Sequence, residues 1–194
     1  MEPVLYRIVR PIIRFLFTII YRPTYIGLEN IKEDTSLVLA GNHTSNLDCL
    51  LLISATRRTI HFLAKDSLIQ GWKKKIFLGM GIIPVNRSIH DKEALKSAID
   101  VLNDNKLIGI FPEGTINKTD DIIMPFKIGA VKMAHDTDSY IVPFTIKNKY
   151  KIFRKSVILE FYEPYKIVTK DKDLTYENIK LMNIISNNLK EEEK

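Results

Sequence analysis

Residues 36–55 read SLVLAGNHTSNLDCLLLISA, and three successive textures in them decide the fold. Ser36–Ala40 is a short, nearly continuous apolar run ending at Gly41, the pattern of a strand buried on both faces. Asn42–Asp48 is polar and turn-forming. An apolar helical stretch follows, expected over Asn46–Ala55. A buried strand that passes through a polar turn into a helix is the repeating unit of an α/β domain. The same succession extends outward in both directions. Strands are expected at Thr24–Gly27, Ser36–Ala40, Ile60–Ala64, Ile82–Val85, Leu107–Phe111, Ile141–Ile146 and Val157–Phe161. Helices are expected at Asn46–Ala55, Lys73–Gly79, Asp91–Asn103, Ile128–Asp136 and Tyr176–Leu189. Asp91 reads as a helix cap before the apolar positions Ala94, Leu95, Ala98, Ile99 and Leu102. The expected fold class is α/β, a single mixed β-sheet flanked by helices, with an N-terminal amphipathic helical membrane-binding segment.

The chemistry-bearing residues fall at the carboxyl ends of expected strands. Asn42-His43-Thr44-Ser45-Asn46-Leu47-Asp48 follows one strand, and Phe111-Pro112-Glu113-Gly114-Thr115 completes another and continues past it. In α/β sheets ligands bind at that edge, so the two loops are expected to form one site. His43 and Asp48 are five positions apart across a turn into a helix, where a carboxylate in the first turn is favoured by the dipole. A carboxylate that holds one ring N–H of an imidazole leaves the other nitrogen free to take a proton, although on these two residues alone a capping or structural role is the leading reading. Cys49 opens an apolar helical run and reads as a buried side chain, and Ser45 as a loop cap. His61, His90 and His135 have no ligand spacing to one another or to His43, so no metal is expected.

The chain has 194 residues, with 29 Lys and Arg against 23 Asp and Glu, a net charge of +6, and 45% hydrophobic residues. This supports one packed core and excludes a disordered or collagen-like chain; the single cysteine excludes a disulfide scaffold and fits a reducing compartment. The positive balance calls for an anionic partner. With no nucleic-acid module or stacking platform in view, no nucleic acid is expected, and a membrane surface is. Residues 1–22, MEPVLYRIVRPIIRFLFTIIYR, set Arg7, Arg10 and Arg14 at helical spacing among large apolar residues. A span needs about 20 predominantly apolar residues and a central charge costs about 3 kcal/mol, so no span is expected, nor a cleaved signal peptide. Residues 1–22 are read as an anchoring segment lying in the interface, with Arg7, Arg10 and Arg14 on head groups and Phe15 and Phe17 among acyl chains, and residues 23–194 as the α/β domain. Pro11 is expected to kink or split the helix. Trp72, Lys73 and Lys74 form a second expected contact with the cytosolic face of a membrane.

Taken together, His43 to Asp48 (HxxxxD), Gly81–Arg87 (GIIPVNR), Phe111–Thr115 (FPEGT) and Ile141–Pro143 (IVP) resemble, in order and spacing, the four motifs of the glycerolipid acyltransferase family. Within it they are most similar to the small bacterial 1-acyl-sn-glycerol-3-phosphate acyltransferases. The resemblance runs from about Tyr25 to Val157, and Ala64-Lys65 and Pro125–Ala130 agree with it. It implies transfer of an acyl chain from a thioester, on coenzyme A or acyl carrier protein, to the free hydroxyl of a lysophosphatidate, with no bound cofactor. His43 is then the base and Asp48 its orienter. Arg87 and Lys127 are implied at the acceptor phosphate, and Asn42, Ser45, Glu113, Gly114 and Thr115 along the substrate. The sequence departs from the family at Ile116, where Arg is usual. That shifts phosphate binding to Arg87, Lys127 or Lys118, and brings another lysophospholipid or glycerol phosphate into view as acceptor.

Overall fold

Side chains of Leu37 and Leu39 enter one apolar layer and those of Val38 and Ala40 the other, as a strand covered on both faces requires. A computed structural model describes residues 3–86, 91–169 and 173–190. Arg87, His90 and the side chain of Lys73 lie outside the described residues. The strands are β1 (Thr24–Ile26), β2 (Leu37–Gly41), β3 (Ile60–Lys65), β4 (Ile83–Val85), β5 (Leu107–Ile110), β6 (Tyr140–Lys147) and β7 (Ile158–Phe161). They form one sheet in the order β1-β7-β6-β2-β5-β3-β4. Every neighbouring pair is parallel except β6 and β7. The expected mixed sheet flanked by helices is therefore what forms, with strand ends moved by at most one residue.

Helices α1 (Val4–Ile20), α2 (Asp48–Ala55) and α3 (Lys73–Gly79) lie on one face, and α4 (Lys92–Asn103), α5 (Gly129–Asp136) and α6 (Thr175–Lys190) on the other. Asp91 caps α4 by accepting the Ala94 N–H at 2.9 Å, and Ala94, Ala98 and Leu102 bury its inner stripe. The second core layer is completed by Ala130, Val131, Met133 and Ala134 of α5 and by Leu181 and Ile185 of α6.

The first helix departs from expectation in three ways. It passes through Pro11 unsplit, with Pro11 on an exposed position. It is not set apart from the domain, because Tyr6 and Phe17 are buried in the first core layer. The Tyr6 hydroxyl accepts the Ile60 N–H at 3.1 Å, which ties α1 to the start of β3. Phe17, expected among acyl chains, is 4% exposed, whereas Phe15 is 64% exposed. Two positions on a helix are separated by about 200°, so both could not face outward.

Arg10 and Arg14 are also not free for head groups. Arg10 Nε donates to the Thr56 carbonyl at 2.6 Å and Arg14 to the Ser54 carbonyl at 3.2 Å. The last carbonyls of α2 have no helical partner, and a cation there also meets the negative end of the dipole. Arg58, three residues past the end of α2, donates instead to the carbonyls of Lys32, Thr35 and Asn105. The outward face of α1 is left apolar, formed by Val4, Ile8, Ile12, Phe15, Leu16 and Ile19, with Arg7 exposed beside it. Trp72, at 74% exposure, and the exposed Lys74, Ile76 and Leu78 lie in and before α3, which packs on α1.

Candidate active site

β2, β5 and β6 are parallel neighbours, so the loops that leave them emerge at one edge of the sheet. Gly41 makes the first exit possible by close approach: a Cβ there would sit 2.4 Å from the Phe144 carbonyl oxygen and 2.3 Å from its ring. Asn42 then turns into the sheet. Its side chain donates to the Ile146 carbonyl at 2.9 Å and accepts the Ile146 N–H at 2.7 Å, prolonging the β2–β6 ladder by a side chain. Asn42 is buried and its amide is used, which corrects the expectation that it faces substrate.

At the same exit, His43 Nδ1 lies 2.8 Å from Asp48 Oδ2. That oxygen is an acceptor for the backbone N–H groups of Thr44, at 2.6 Å, and Ser45, at 2.8 Å, so the ring nitrogen facing it is the protonated one. In the neutral imidazole Nε2 is then the nitrogen that carries no proton. The imidazole also stacks on the Phe111 ring, with centroids 4.0 Å apart and planes 13° apart. The carboxylate and a ring face fix the imidazole in two directions. The Asp48 side chain is 0% exposed and that of His43 17%, so the anion is shielded from water while the base stays accessible.

Burial of a carboxylate is costly unless its lone pairs are filled. Asp48 Oδ1 accepts the Thr44 hydroxyl at 3.3 Å and the Tyr150 hydroxyl at 2.7 Å. Five donors thus converge on one side chain. Ser45 helps build this cage through its N–H, and its hydroxyl accepts the Leu47 N–H at 3.2 Å, which makes it a loop cap. Cys49 is partly buried, and its thiol is pushed up to about 12 by desolvation first and by the Asp48 charge second, so it is no nucleophile at neutral pH.

The β5 exit locks onto the β2 exit through Glu113. Its Oε1 accepts the His43 N–H at 2.8 Å and its Oε2 the Met124 N–H at 2.8 Å. Burial raises its carboxyl above the usual range although both backbone donors act the other way. Glu113, expected along the substrate, is a strut between loops. A second strut is the Asn117 N–H, which donates to the His43 carbonyl at 2.8 Å. Gly114 has φ +75° and carries the Lys127 stem against it: a Cβ at Gly114 would lie 2.9 Å from Lys127 Nζ. The turn therefore brings the Lys127 ammonium beside FPEGT, with Thr115 exposed next to it. Ile116, at the family's arginine position, adds no cation. Among the described residues no cluster of three metal-ligating side chains occurs.

Tyr150 is the functional residue that sequence reading missed. It sits just past the carboxyl end of β6, the same edge position that singled out His43 and Glu113, so the edge rule would have found it if applied to a third strand. Burial and the adjacent Asp48 anion push its phenol well above the usual range, which keeps it a donor at every working pH. Tyr21 packs edge-on against it, with centroids 5.5 Å apart and planes at 82°. In Tyr150→Phe the carboxylate loses a donor that spreads its charge. The expected result is roughly a tenfold loss of turnover with acceptor KM little changed, as for one charge-assisted hydrogen bond. A merely structural role would lower the melting temperature and leave the turnover of the folded protein unchanged.

The comparisons with known proteins agree with this architecture. A family model described as Acyltransferase matches residues 22–147. The 1-acyl-sn-glycerol-3-phosphate acyltransferase of Borreliella burgdorferi is 38% identical over 135 residues, covering 68% of this chain and 54% of that protein. Its counterpart from Helicobacter pylori is 31% identical over 154 residues, covering 76% of this chain and 62% of that protein. That from Bacillus subtilis is 31% identical over 117 residues, or 59% of this chain and 57% of the relative. The chain thus spans 54–62% of the length of these relatives. In fold, it is similar to the crystal structure of the 1-acyl-sn-glycerophosphate (LPA) acyltransferase, PlsC, from Thermotoga maritima, with a TM-score of 0.74, 21% identity and coverage of 97% of this chain and 78% of that one. With the family model spanning every loop that builds the His43–Asp48 site except the one carrying Tyr150, this chain belongs to the acyltransferase family.

Proposed function

We propose that this chain transfers a fatty acyl group from an acyl thioester to the free hydroxyl of lysophosphatidate, giving phosphatidate at the cytosolic face of a membrane. The observation that carries the reading is an imidazole whose Nδ1–H is held by a buried carboxylate while Nε2 is accessible at the sheet edge. An alcohol is a feeble nucleophile at neutral pH. His43 Nε2 takes its proton as oxygen attacks the thioester carbonyl, and Asp48 stabilises the imidazolium that forms. The tetrahedral intermediate then expels thiolate, a good leaving group, so direct transfer needs no acyl-enzyme, consistent with the inert Cys49 thiol. Lys127 and Arg87 supply charge for the acceptor phosphate, the forked guanidinium matching two of its oxygens. The relatives named for this reaction support the acceptor, and the donor is acyl-CoA or acyl carrier protein.

The lipid acceptor is met at the bilayer surface. Among the described residues no helix is long and apolar enough to cross a membrane. The apolar outward face of α1 and the neighbouring Trp72, Ile76 and Leu78 are suited to lie in the interface. Ile116 favours a second reading, in which the acceptor is another lysophospholipid or glycerol phosphate. Mass-spectrometric analysis of products, with acyl-CoA and acyl carrier protein thioesters offered against a panel of these acceptors, tests both. Phosphatidate is the expected principal product. Acylation of a different head group would replace the first reading by the second, and liposome binding without acyl transfer from any donor would remove both.

A further inference from the structure

The β6–β7 connection, Asn148–Ser156, carries a surface that the catalytic reading does not use. Its sequence is NKYKIFRKS. Ile152 and Phe153 stand at its tip, each 62% exposed, although a turn of this kind ordinarily carries polar residues. Phe153 has φ +57°, an unusual conformation for a bulky residue, and its N–H donates to the Ile20 carbonyl at the end of α1. The strained tip is thus tethered to the helix whose outward side is apolar. Lys149, Lys151, Arg154 and Lys155 flank the two apolar side chains, and none has an acidic partner within 4 Å among the described residues. Three of these lysines, with Thr24, Asn148, Ser156 and Ile158, line an open groove of about 830 Å³. Tyr150, in the same loop, donates to Asp48.

From this juxtaposition we infer that the β6–β7 loop is a second membrane contact, in which Ile152 and Phe153 enter an anionic phospholipid monolayer while the lysine-lined groove takes lipid phosphates. The inference rests on the reading of α1 as an interfacial helix and adds a separate site to it. Charge complementarity favours this occupant, since cations beside inserted apolar side chains are the pattern of interfacial binding to anionic lipid. So does position. The loop leaves the carboxyl end of β6, the edge that carries His43, and its tip is hydrogen-bonded to the end of α1. A bilayer seated on both therefore lies against the mouth of the site that must receive a lipid, and the loop that touches it also holds the catalytic carboxylate.

The test is sedimentation of the full chain with vesicles of phosphatidylcholine containing one third phosphatidylglycerol, and with phosphatidylcholine alone. Variants are Ile152→Ser/Phe153→Ser, Lys149→Gln/Lys151→Gln/Lys155→Gln, and Ile8→Ser/Phe15→Ser on α1. All substituted residues are exposed, and circular dichroism confirms folding. Each loop variant is expected to lose roughly tenfold or more in partitioning to the anionic vesicles, and the lysine variant to match wild type on neutral ones. Phe153→Trp in a Trp72→Phe background is expected to shift its emission to the blue on anionic vesicles and to be quenched by brominated acyl chains. If the loop variants partition like wild type while the α1 variant is lost from the pellet, the loop inference falls and docking by α1 stands. If none of the three changes partitioning, both fall. Unaltered vesicle binding with weakened binding to acyl carrier protein would hand the surface to an acidic protein and overturn the inference.

Discussion

His43→Ala is expected to lower kcat by about a thousandfold, the scale of a general base removed from an alcohol attack, and to leave the acceptor KM within a few-fold of wild type. The fold survives, because Asp48 keeps its four other donors and the imidazole gives up one hydrogen bond and its stacking on Phe111. Melting temperature accordingly moves by only a few degrees. The vacated space between Asp48 and Phe111 has the shape of the lost ring, so added imidazole restores part of the rate. Steady-state kinetics with solubilised protein decide the matter: turnover within tenfold of wild type would show that another group takes the proton.

Asp48→Asn gives the second large effect, and its direction follows from the donor set. Three N–H groups converge on Oδ2, whereas the donors at Oδ1 are the hydroxyls of Thr44 and Tyr150. Hydroxyls can rotate to accept and backbone N–H groups cannot. The amide therefore keeps its oxygen toward His43 and turns its NH2 toward the hydroxyls, so the imidazole stays oriented but loses its counter-charge. The expected loss in kcat is about a hundredfold to a thousandfold, with a stability cost of about 2 kcal/mol and a melting temperature lower by roughly 5 °C. Turnover within a few-fold of wild type in steady-state kinetics would contradict the pairing.

The motif residues were legible to different depths. His43 and Asp48 could be paired from sequence because five positions across a turn into a helix constrain the geometry tightly. Glu113 was legible as a member of the site and not as to its role, because which backbone N–H groups it meets depends on how two loops from separate strands approach each other. Asn42 was misplaced for the same reason: its partner, Ile146, is 104 positions away. Tyr150 was missed because the carboxylate it serves is likewise 102 positions distant.

In the first helix, the spacing of Arg7, Arg10 and Arg14 correctly indicated a helix. It could not tell which cations would be consumed, since Arg10 and Arg14 act on carbonyl groups of α2 that become neighbours only after folding. Phe15 and Phe17 are equally apolar, and only the seating of Tyr6 and Phe17 in the core settles which one faces out.

The sequence by itself determined the alternation of strands and helices and the sheet edge on which His43, Asp48 and Glu113 collect, because each of these is written in local periodicity and short spacing. The tertiary structure alone decided which polar side chains are struts and which are free, which arginines are spent on helix ends, and that a tyrosine on a distant loop completes the donor set around the Asp48 carboxylate. Those outcomes depend on hydrogen bonds between segments far apart in the chain, and a donor finds its acceptor only when the sheet has brought the two together.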